Sequence, residues 1–301
     1  MHEPTKRYYD DNAAVIFEAL GRHYNAHLIS ESSDLATCVA DDLAYIAKTA
    51  GLNPAQAVLE CGCGNGFVAR RLMQMLPGIG YTGCDLSSSQ VQLARQLNPA
   101  ADIRELSYED LDFPGASFDR ALFLETLGYC MKPDQMLERL FGALKPGGKV
   151  FVKNPGQKVV DRAEFAAQAA VLEPVATEYG FEPGSLGMIP DIDAMIAAFR
   201  RHGFALEREE YPYTNEYFYN AAFYSDPRIC APIRMPDKIT ALYDFRAFDP
   251  QRSLSELGKR HPHYVAYHRS LSEGRFQLGR NQLFGCVVLV FGKVEPDSAR
   301  P

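Results

Sequence analysis

No run of apolar residues in this chain of 301 residues approaches the roughly 20 that a helix needs to cross a bilayer. Nor is there a basic block. The formal net charge is −7, so a nucleic-acid partner is not expected. Met1-His2-Glu3-Pro4 lacks the basic-then-apolar pattern of a signal peptide, and the expectation is a cytoplasmic protein. The seven cysteines form no Cys-x-x-Cys pair. Cys61 and Cys63 flank a single glycine, a spacing poorly suited to zinc, and the histidines show no metal-ligand spacing. Buried, reduced thiols and no protein metal site are therefore expected. With 47% hydrophobic and 23% charged residues, the composition is that of a globular chain able to bury a full core.

The informative stretch is Val58-Leu59-Glu60-Cys61-Gly62-Cys63-Gly64-Asn65-Gly66-Phe67. A short apolar run ends in an acid, three glycines follow at alternate positions, and an amphipathic segment runs from Val68 to Leu76. This is the pattern of a buried strand, a turn without room for side chains, and a helix start. Glycine permits positive φ and close approach of a ligand to the backbone. A helix N-terminus adds unpaired N–H groups. The spacing is Gly-x-Gly-x-Gly, with Phe67 where the dinucleotide fingerprint would need its third glycine.

Further on, Gly80 to Leu86 reads as a second strand ending in Asp85, 19 residues after Gly66. Taken alone, Asp85 is equally a turn or helix-capping aspartate; after a glycine turn, it is an acid able to accept both ribose hydroxyls of an adenosyl group. Ser87 is expected to cap a helix from Gln90 to Leu97. Ile103 to Leu106 and Phe118 to Leu124 read as the third and fourth strands. A helix from Asp134 to Leu144 stops at Lys145-Pro146-Gly147-Gly148, and Val150 to Val152 is a fifth strand. The chain closes with a helix (Asp191 to His202), a strand (Phe204 to Glu209) and a last strand, Leu283 to Phe291, expected to pair antiparallel at the sheet edge.

The glycine turn resembles motif I of the Rossmann-like S-adenosylmethionine-dependent methyltransferases. The Phe118-Asp119 strand and the Leu144-Lys145-Pro146-Gly147-Gly148 stop strengthen that resemblance. It implies an α/β fold with a seven-stranded, mostly parallel sheet and an antiparallel last strand. Residues 1–56 would form an N-terminal helical cover and 57–210 the cofactor-binding core, with 156–190 partly a lid. Residues 211–282 would be an aromatic-rich, substrate-covering insertion, and 283–301 the last strand and tail. The implied cofactor is S-adenosyl-L-methionine, held by Tyr8, Glu60, Gly62, Gly64, Gly66, Asp85, Leu86, Gln90, Tyr108 and Leu124. Many relatives carry an acid where Ser107 stands. The side-chain contact to the adenine amino group is thus left open, and Tyr108 is expected to cover the ring face.

Three features narrow the acceptor: the N-terminal Tyr8-Tyr9-Asp10 and Tyr24-Asn25-Ala26-His27, the Leu86-Ser87-x-x-Gln90 sequence, and the insertion before the last strand. All are similar to the group that alkylates carbon–carbon double bonds: cyclopropane fatty acid synthases, sterol C-methyltransferases and prenyl diphosphate C-methyltransferases. The Glu125…Tyr129 spacing looks most like the last of these. An alkene attacking a methyl sulfonium leaves a carbocation, which aromatic faces shelter at about 0.5–2 kcal/mol each. A base must then remove a proton. Between Tyr211 and Tyr224 there are seven aromatics in fourteen residues, and Glu125, just past the fourth strand, is the best-placed base. Glu125 as a contact to the cofactor's amino group, or as a helix cap, is the alternative.

The expected activity is C-methylation of a small isoprenoid, most simply a short prenyl diphosphate. The substrate contacts would be His23, Tyr24, Tyr129, Tyr213, Tyr217, Phe223 and Arg246. Arg22, Lys153, Arg228 and Arg234 are further candidates for the diphosphate, and Mg²⁺, where it takes part, would bridge diphosphate oxygens. An O- or N-methyltransferase of secondary metabolism, alkene methylation of a sterol or lipid, and a non-catalytic adenosyl-binding protein are the competing readings. Homo-oligomerisation stays open.

Overall fold

The computed structural model describes residues 6–7, 9–10, 27–28, 35–163, 166–167, 190–212, 215–216, 276–278 and 281–294. Seven strands form the main sheet: β1 (Ala57–Cys61), β2 (Gly80–Asp85), β3 (Asp102–Glu105), β4 (Phe118–Leu124), β5 (Leu144–Lys158), β6 (Phe204–Glu210) and β7 (Asn281–Lys293). Their order is β3-β2-β1-β4-β5-β7-β6, with the short strand Phe276–Leu278 paired to β7. The helices are α1 (Leu35–Ala50), α2 (Phe67–Met75), α3 (Ser88–Leu97), α4 (Pro133–Ala143) and α5 (Ile192–Arg201). The β1–β2, β1–β4, β2–β3 and β4–β5 pairs are parallel, and β7 is antiparallel to both its neighbours. This is the expected Rossmann-like architecture.

The position of β7 corrects one expectation: it lies inside the sheet, between β5 and β6. Cys286, Val287, Val288, Leu289, Val290 and Phe291 are all buried, so the strand is covered on both faces, and a continuous apolar run belongs in a sheet interior. The edge falls to β6, whose Glu207, Arg208 and Glu209 are largely solvent-facing; charge on an edge strand deters pairing with other chains. The glycine stop after α4 differs in extent, too. Strand β5 is assigned from Leu144 and continues to Lys158, with an irregularity opposite Phe118–Arg120 that absorbs Pro146-Gly147-Gly148.

Alternation along the strands sorts the core into two layers. Val58, Tyr81, Leu122, Leu124, Phe151, Val288 and Val290 pack with α1 and α2. Leu59, Cys61, Cys84, Phe123, Val152, Leu289 and Phe291 pack with α4 and α5. Each fully buried Leu, Val or Phe contributes about 1.5–3 kcal/mol, so both layers hold the strands in register and thereby line up the ends of β1, β2, β4 and β5. The stripe of α1 is Val39, Leu43, Ile46 and Ala50, the three-to-four spacing visible in the sequence.

Residues 211–282, the expected insertion, and 156–190, the expected partial lid, lie largely outside the described residues. So do Tyr8, His23, Tyr24, Tyr213, Tyr217, Phe223 and Arg246, and with them Arg22, Arg228 and Arg234.

Candidate active site

The turn after β1 is built as its glycines require. Gly62, Gly64 and Gly66 take φ of 80°, 50° and 75°. The N–H groups of Gly62 and Cys63 donate to the Cys84 carbonyl at 2.8 and 3.0 Å, tying the turn to the end of β2. A methyl at Gly62 would lie 2.4 Å from Thr126 Cγ2, and one at Gly66 would lie 2.5 Å from Asn98 Nδ2. These two glycines therefore serve close packing. Gly64 differs, because nothing lies within 4 Å of where its Cβ would be. It is the place where a ligand can approach the backbone.

Asp85 stands across from that opening. Its Oδ2 accepts the Gly64 N–H at 2.9 Å, and its Oδ1 accepts the Ser87 N–H at 2.9 Å. Burial raises its pKa above the ordinary aspartate value, with the backbone donors of Ser87, Gly64 and Leu86 opposing. Ser87 caps α3 by accepting the Gln90 N–H at 3.2 Å, as its sequence position implies. Gln90 is 3% exposed, and its Oε1 has no hydrogen-bond partner among the described residues. A buried, unsatisfied acceptor costs about 1–3 kcal/mol, which a bound donor would recover. The open face of Gly64, the braced Asp85 carboxylate and the Gln90 acceptor together fit an adenosyl cofactor.

Other predicted cofactor residues occupy different settings. Glu60 is 2% exposed and accepts the Tyr81 hydroxyl at 2.6 Å, beneath the turn. Leu124 is buried among the α1-side core residues, and Leu86 is half-buried. Tyr108 donates its hydroxyl to the Thr126 carbonyl at 2.8 Å and packs its ring edge-on to Phe123. Ser107 caps the turn that holds Tyr108, accepting the Glu109 N–H at 3.1 Å.

The segment after β4 is laced into place from three sides. Glu125 adopts φ of 59°, rare for a residue with a side chain, and donates its N–H to the Lys153 carbonyl at 2.6 Å. Thr126 Oγ1 donates to the Cys61 carbonyl at 2.9 Å, and the Leu127 N–H donates to Asn154 Oδ1 at 3.2 Å. The Tyr129 hydroxyl lies 3.2 Å from that of Tyr9, with the rings edge-to-face. Asp10 accepts the Ser87 hydroxyl at 2.6 Å and the Ser89 N–H at 3.2 Å. The N-terminal residues thus touch both the start of α3 and the segment after β4. Glu125, Tyr129, Gly62 and Asp85 are brought to one edge of the sheet, the carboxyl ends of its parallel strands, where open α/β sheets bind ligands.

Lys153 corrects the sequence reading. It was a candidate for a diphosphate contact, yet it is wholly buried, with its Nζ 2.6 Å from Asp42 Oδ1 of an equally buried Asp42. Asp42 carried a signal, because a charged residue on the apolar stripe Val39, Leu43, Ile46 demands a partner. Thr126, Asn98 and Glu109 were also missed. Asn98 donates to the Gly66 carbonyl at 2.9 Å, and Glu109 accepts the N–H groups of Met131 and Lys132 ahead of α4. Their partners are distant in sequence, so no local pattern reveals them. Among the described residues, no cluster of three or more His, Cys, Asp or Glu could hold a metal, and no helix is long and apolar enough to cross a membrane. Cys61, Cys63, Cys84 and Cys286 are buried, free thiols.

Comparison with known proteins places this site in context. Residues 59–152 match the methyltransferase domain family. An S-adenosyl-L-methionine-dependent Diels-Alderase of Talaromyces variabilis is 32% identical over 115 residues, 36% of this chain and 37% of that protein. The sterol 24-C-methyltransferase of Saccharomyces cerevisiae is 24% identical over 158 residues, 49% of this chain and 40% of its own length. The chain thus spans about two-fifths of the length of these curated relatives. Among solved structures, geranyl diphosphate methyltransferase in complex with GPP and sinefungin superposes with a TM-score of 0.65 at 11% identity, covering 97% of this chain and 99% of that one. The shared fold is that of the class I S-adenosylmethionine-dependent methyltransferases.

Proposed function

We propose that this chain, whose residues 59–152 match the methyltransferase domain family, is an S-adenosylmethionine-dependent C-methyltransferase acting on a carbon–carbon double bond of a small isoprenoid, most simply a short prenyl diphosphate. The observation that carries the reading is the juxtaposition of the open Gly64 turn and braced Asp85 with the acid Glu125 on one sheet edge. The cofactor would lie over Gly62 to Gly66, its ribose on Asp85, with Leu86, Gln90 and Tyr108 around the adenosine, and with Glu60, Leu124 and Tyr8 completing the set. When bound, it supplies an electrophilic methyl group. Glu125 would receive the proton lost after methylation, as the C–H electron pair restores a double bond. Tyr129, tied to Tyr9, would offer an aromatic face beside that position. His23, Tyr24, Tyr213, Tyr217, Phe223 and Arg246 are proposed as the remaining acceptor contacts, and Mg²⁺ as a bridge on the diphosphate. Likeness in fold to geranyl diphosphate methyltransferase supports the substrate class.

The test is incubation of the purified protein with methyl-labelled cofactor and a panel of prenyl diphosphates of increasing length. Label transfer to one of them supports the reading, and transfer to none sinks it. Glu125→Gln is expected to abolish transfer while cofactor affinity by calorimetry stays within about twofold. The Diels-Alderase relative motivates a second reading, in which cofactor is bound and no methyl leaves it. Acceptor turnover without release of S-adenosylhomocysteine would favour that alternative.

A further inference from the structure

We propose that Thr126 is a positioning residue that couples the cofactor site to the segment after β4, so that this segment is set once the methyl donor is bound. The inference rests on the reading of the Gly64 turn and Asp85 as the cofactor site. Thr126 meets the glycine turn in two ways. Its Oγ1 donates at 2.9 Å to the carbonyl of Cys61, the last residue of β1. Its Cγ2 covers Gly62, 2.4 Å from where a Cβ would stand. The Thr126 carbonyl faces two other partners. It accepts the Tyr108 hydroxyl at 2.8 Å, from the loop after β3. It also accepts the Tyr129 N–H at 3.1 Å, which closes the short turn that follows Glu125.

The loop that carries Tyr108 leads back to the cofactor acid. Its Leu106 N–H donates to the Asp85 carbonyl at 3.0 Å, and Asp85 Oδ2 in turn accepts the Gly64 N–H. The hydrogen bonds thus close a circuit from Gly64 through Asp85, Leu106, Tyr108 and Thr126 to Cys61, and back along the turn. Both side-chain links at Thr126 span long separations, 65 residues to Cys61 and 18 to Tyr108. No strand or helix requires them. A ligand seated on Gly64 and Asp85 restrains two of the loops in this circuit. Once those are ordered, the third costs less freedom to order, which is coupling without a change of shape. Such couplings amount to about 5–150-fold in an equilibrium constant. The Glu125 and Leu127 N–H groups bond instead to Lys153 and Asn154 of β5, and their exchange with solvent reports how firmly the segment is held.

The experiment follows hydrogen exchange in the peptide spanning residues 125–131, with and without saturating S-adenosylhomocysteine, whose binding is first established by calorimetry. In the wild type, the ligand should slow exchange about fivefold or more. Thr126→Val keeps Cγ2 and removes the hydroxyl, and Tyr108→Phe keeps the ring and removes the other link. Each should cut the ligand-dependent slowing to about twofold or less, whereas Thr126→Ser, which keeps the hydroxyl, should retain it. A merely structural role would speed exchange in free and bound protein alike and leave their ratio as in the wild type. That outcome overturns the proposal, as does a ratio near one in the wild type. Should Thr126→Val fail to fold, Tyr108→Phe decides by the same ratio. Failure of the wild type to bind S-adenosylhomocysteine would instead overturn the cofactor reading, and this inference with it.

Discussion

Replacing Gly62 with alanine probes the contact that joins the glycine turn to the segment after β4. Two costs are separable in the structure. Gly62 sits at φ 80°, and a left-handed conformation costs a residue with a Cβ about 1–2 kcal/mol. The new methyl would also lie 2.4 Å from Thr126 Cγ2, far inside the ~3.5–4.0 Å optimum for carbon pairs. Such overpacking costs about 1–3 kcal/mol, so Gly62→Ala should destabilise by roughly 2–5 kcal/mol. Thr126→Ser removes Cγ2 while keeping the hydroxyl that donates to the Cys61 carbonyl at 2.9 Å. In the double variant, the steric part should largely vanish, leaving the backbone part. Urea denaturation of the wild type, both single variants and the double variant closes the cycle. A coupling energy of about 1–3 kcal/mol is expected, and one below ~0.5 kcal/mol would refute the reasoning. Gly64→Ala is the control. Its Cβ meets nothing, so it should cost only about 1–2 kcal/mol in stability while lowering cofactor affinity more than Gly62→Ala does per unit of stability lost.

Two further outcomes follow from charges near the turn. Asp85→Ala removes the carboxylate that accepts the Gly64 and Ser87 N–H groups. Charge-assisted hydrogen bonds contribute about 1.5–3 kcal/mol each, so calorimetry should show at least a roughly tenfold loss of S-adenosylmethionine affinity; unchanged affinity would remove Asp85 from the cofactor site. Burial raises Glu60 to about 8, opposed by the Tyr81 hydroxyl and aided by Asp85. The folded protein therefore holds this proton up to about pH 8, whereas the unfolded chain releases it near ~4.3. Its contribution to stability is complete below the unfolded value, falls as pH rises toward 8, and is flat beyond. Glu60→Gln mimics the protonated acid and should flatten that slope in urea midpoints measured across the range. Parallel slopes in the two proteins would contradict the shift.

Much of the fold was legible because it rests on local patterns. Gly51 ends α1 at φ 64°, Gly203 ends α5 at φ 83°, and Ser87 caps α3 by accepting the Gln90 N–H. Each follows from what its residue type does to nearby backbone. The burial of both faces of β7 was written in its unbroken run of apolar residues, and only the pairing partners show that such a strand lies between β5 and β6. Within the site, Gly62, Gly64, Gly66 and Asp85 were recognisable from type and spacing. Which glycine serves packing and which faces open space was not.

The amino-acid order by itself determined that a strand, a glycine turn and a helix would follow one another, that an acid would end β2, and that Glu125 would stand just beyond β4. Those are consequences of periodicity and of the backbone states open to glycine, and they need no distant partner. Only the tertiary structure decided what the charges do. Lys153, a plausible surface cation in the sequence, is buried against Asp42, 111 residues away. Tyr129 meets Tyr9 across 120 residues, and Thr126 closes over Gly62. Burial changes the free energy of an ion or a methyl contact by several kcal/mol, and burial belongs to the packed sheet and helices rather than to any single stretch of chain.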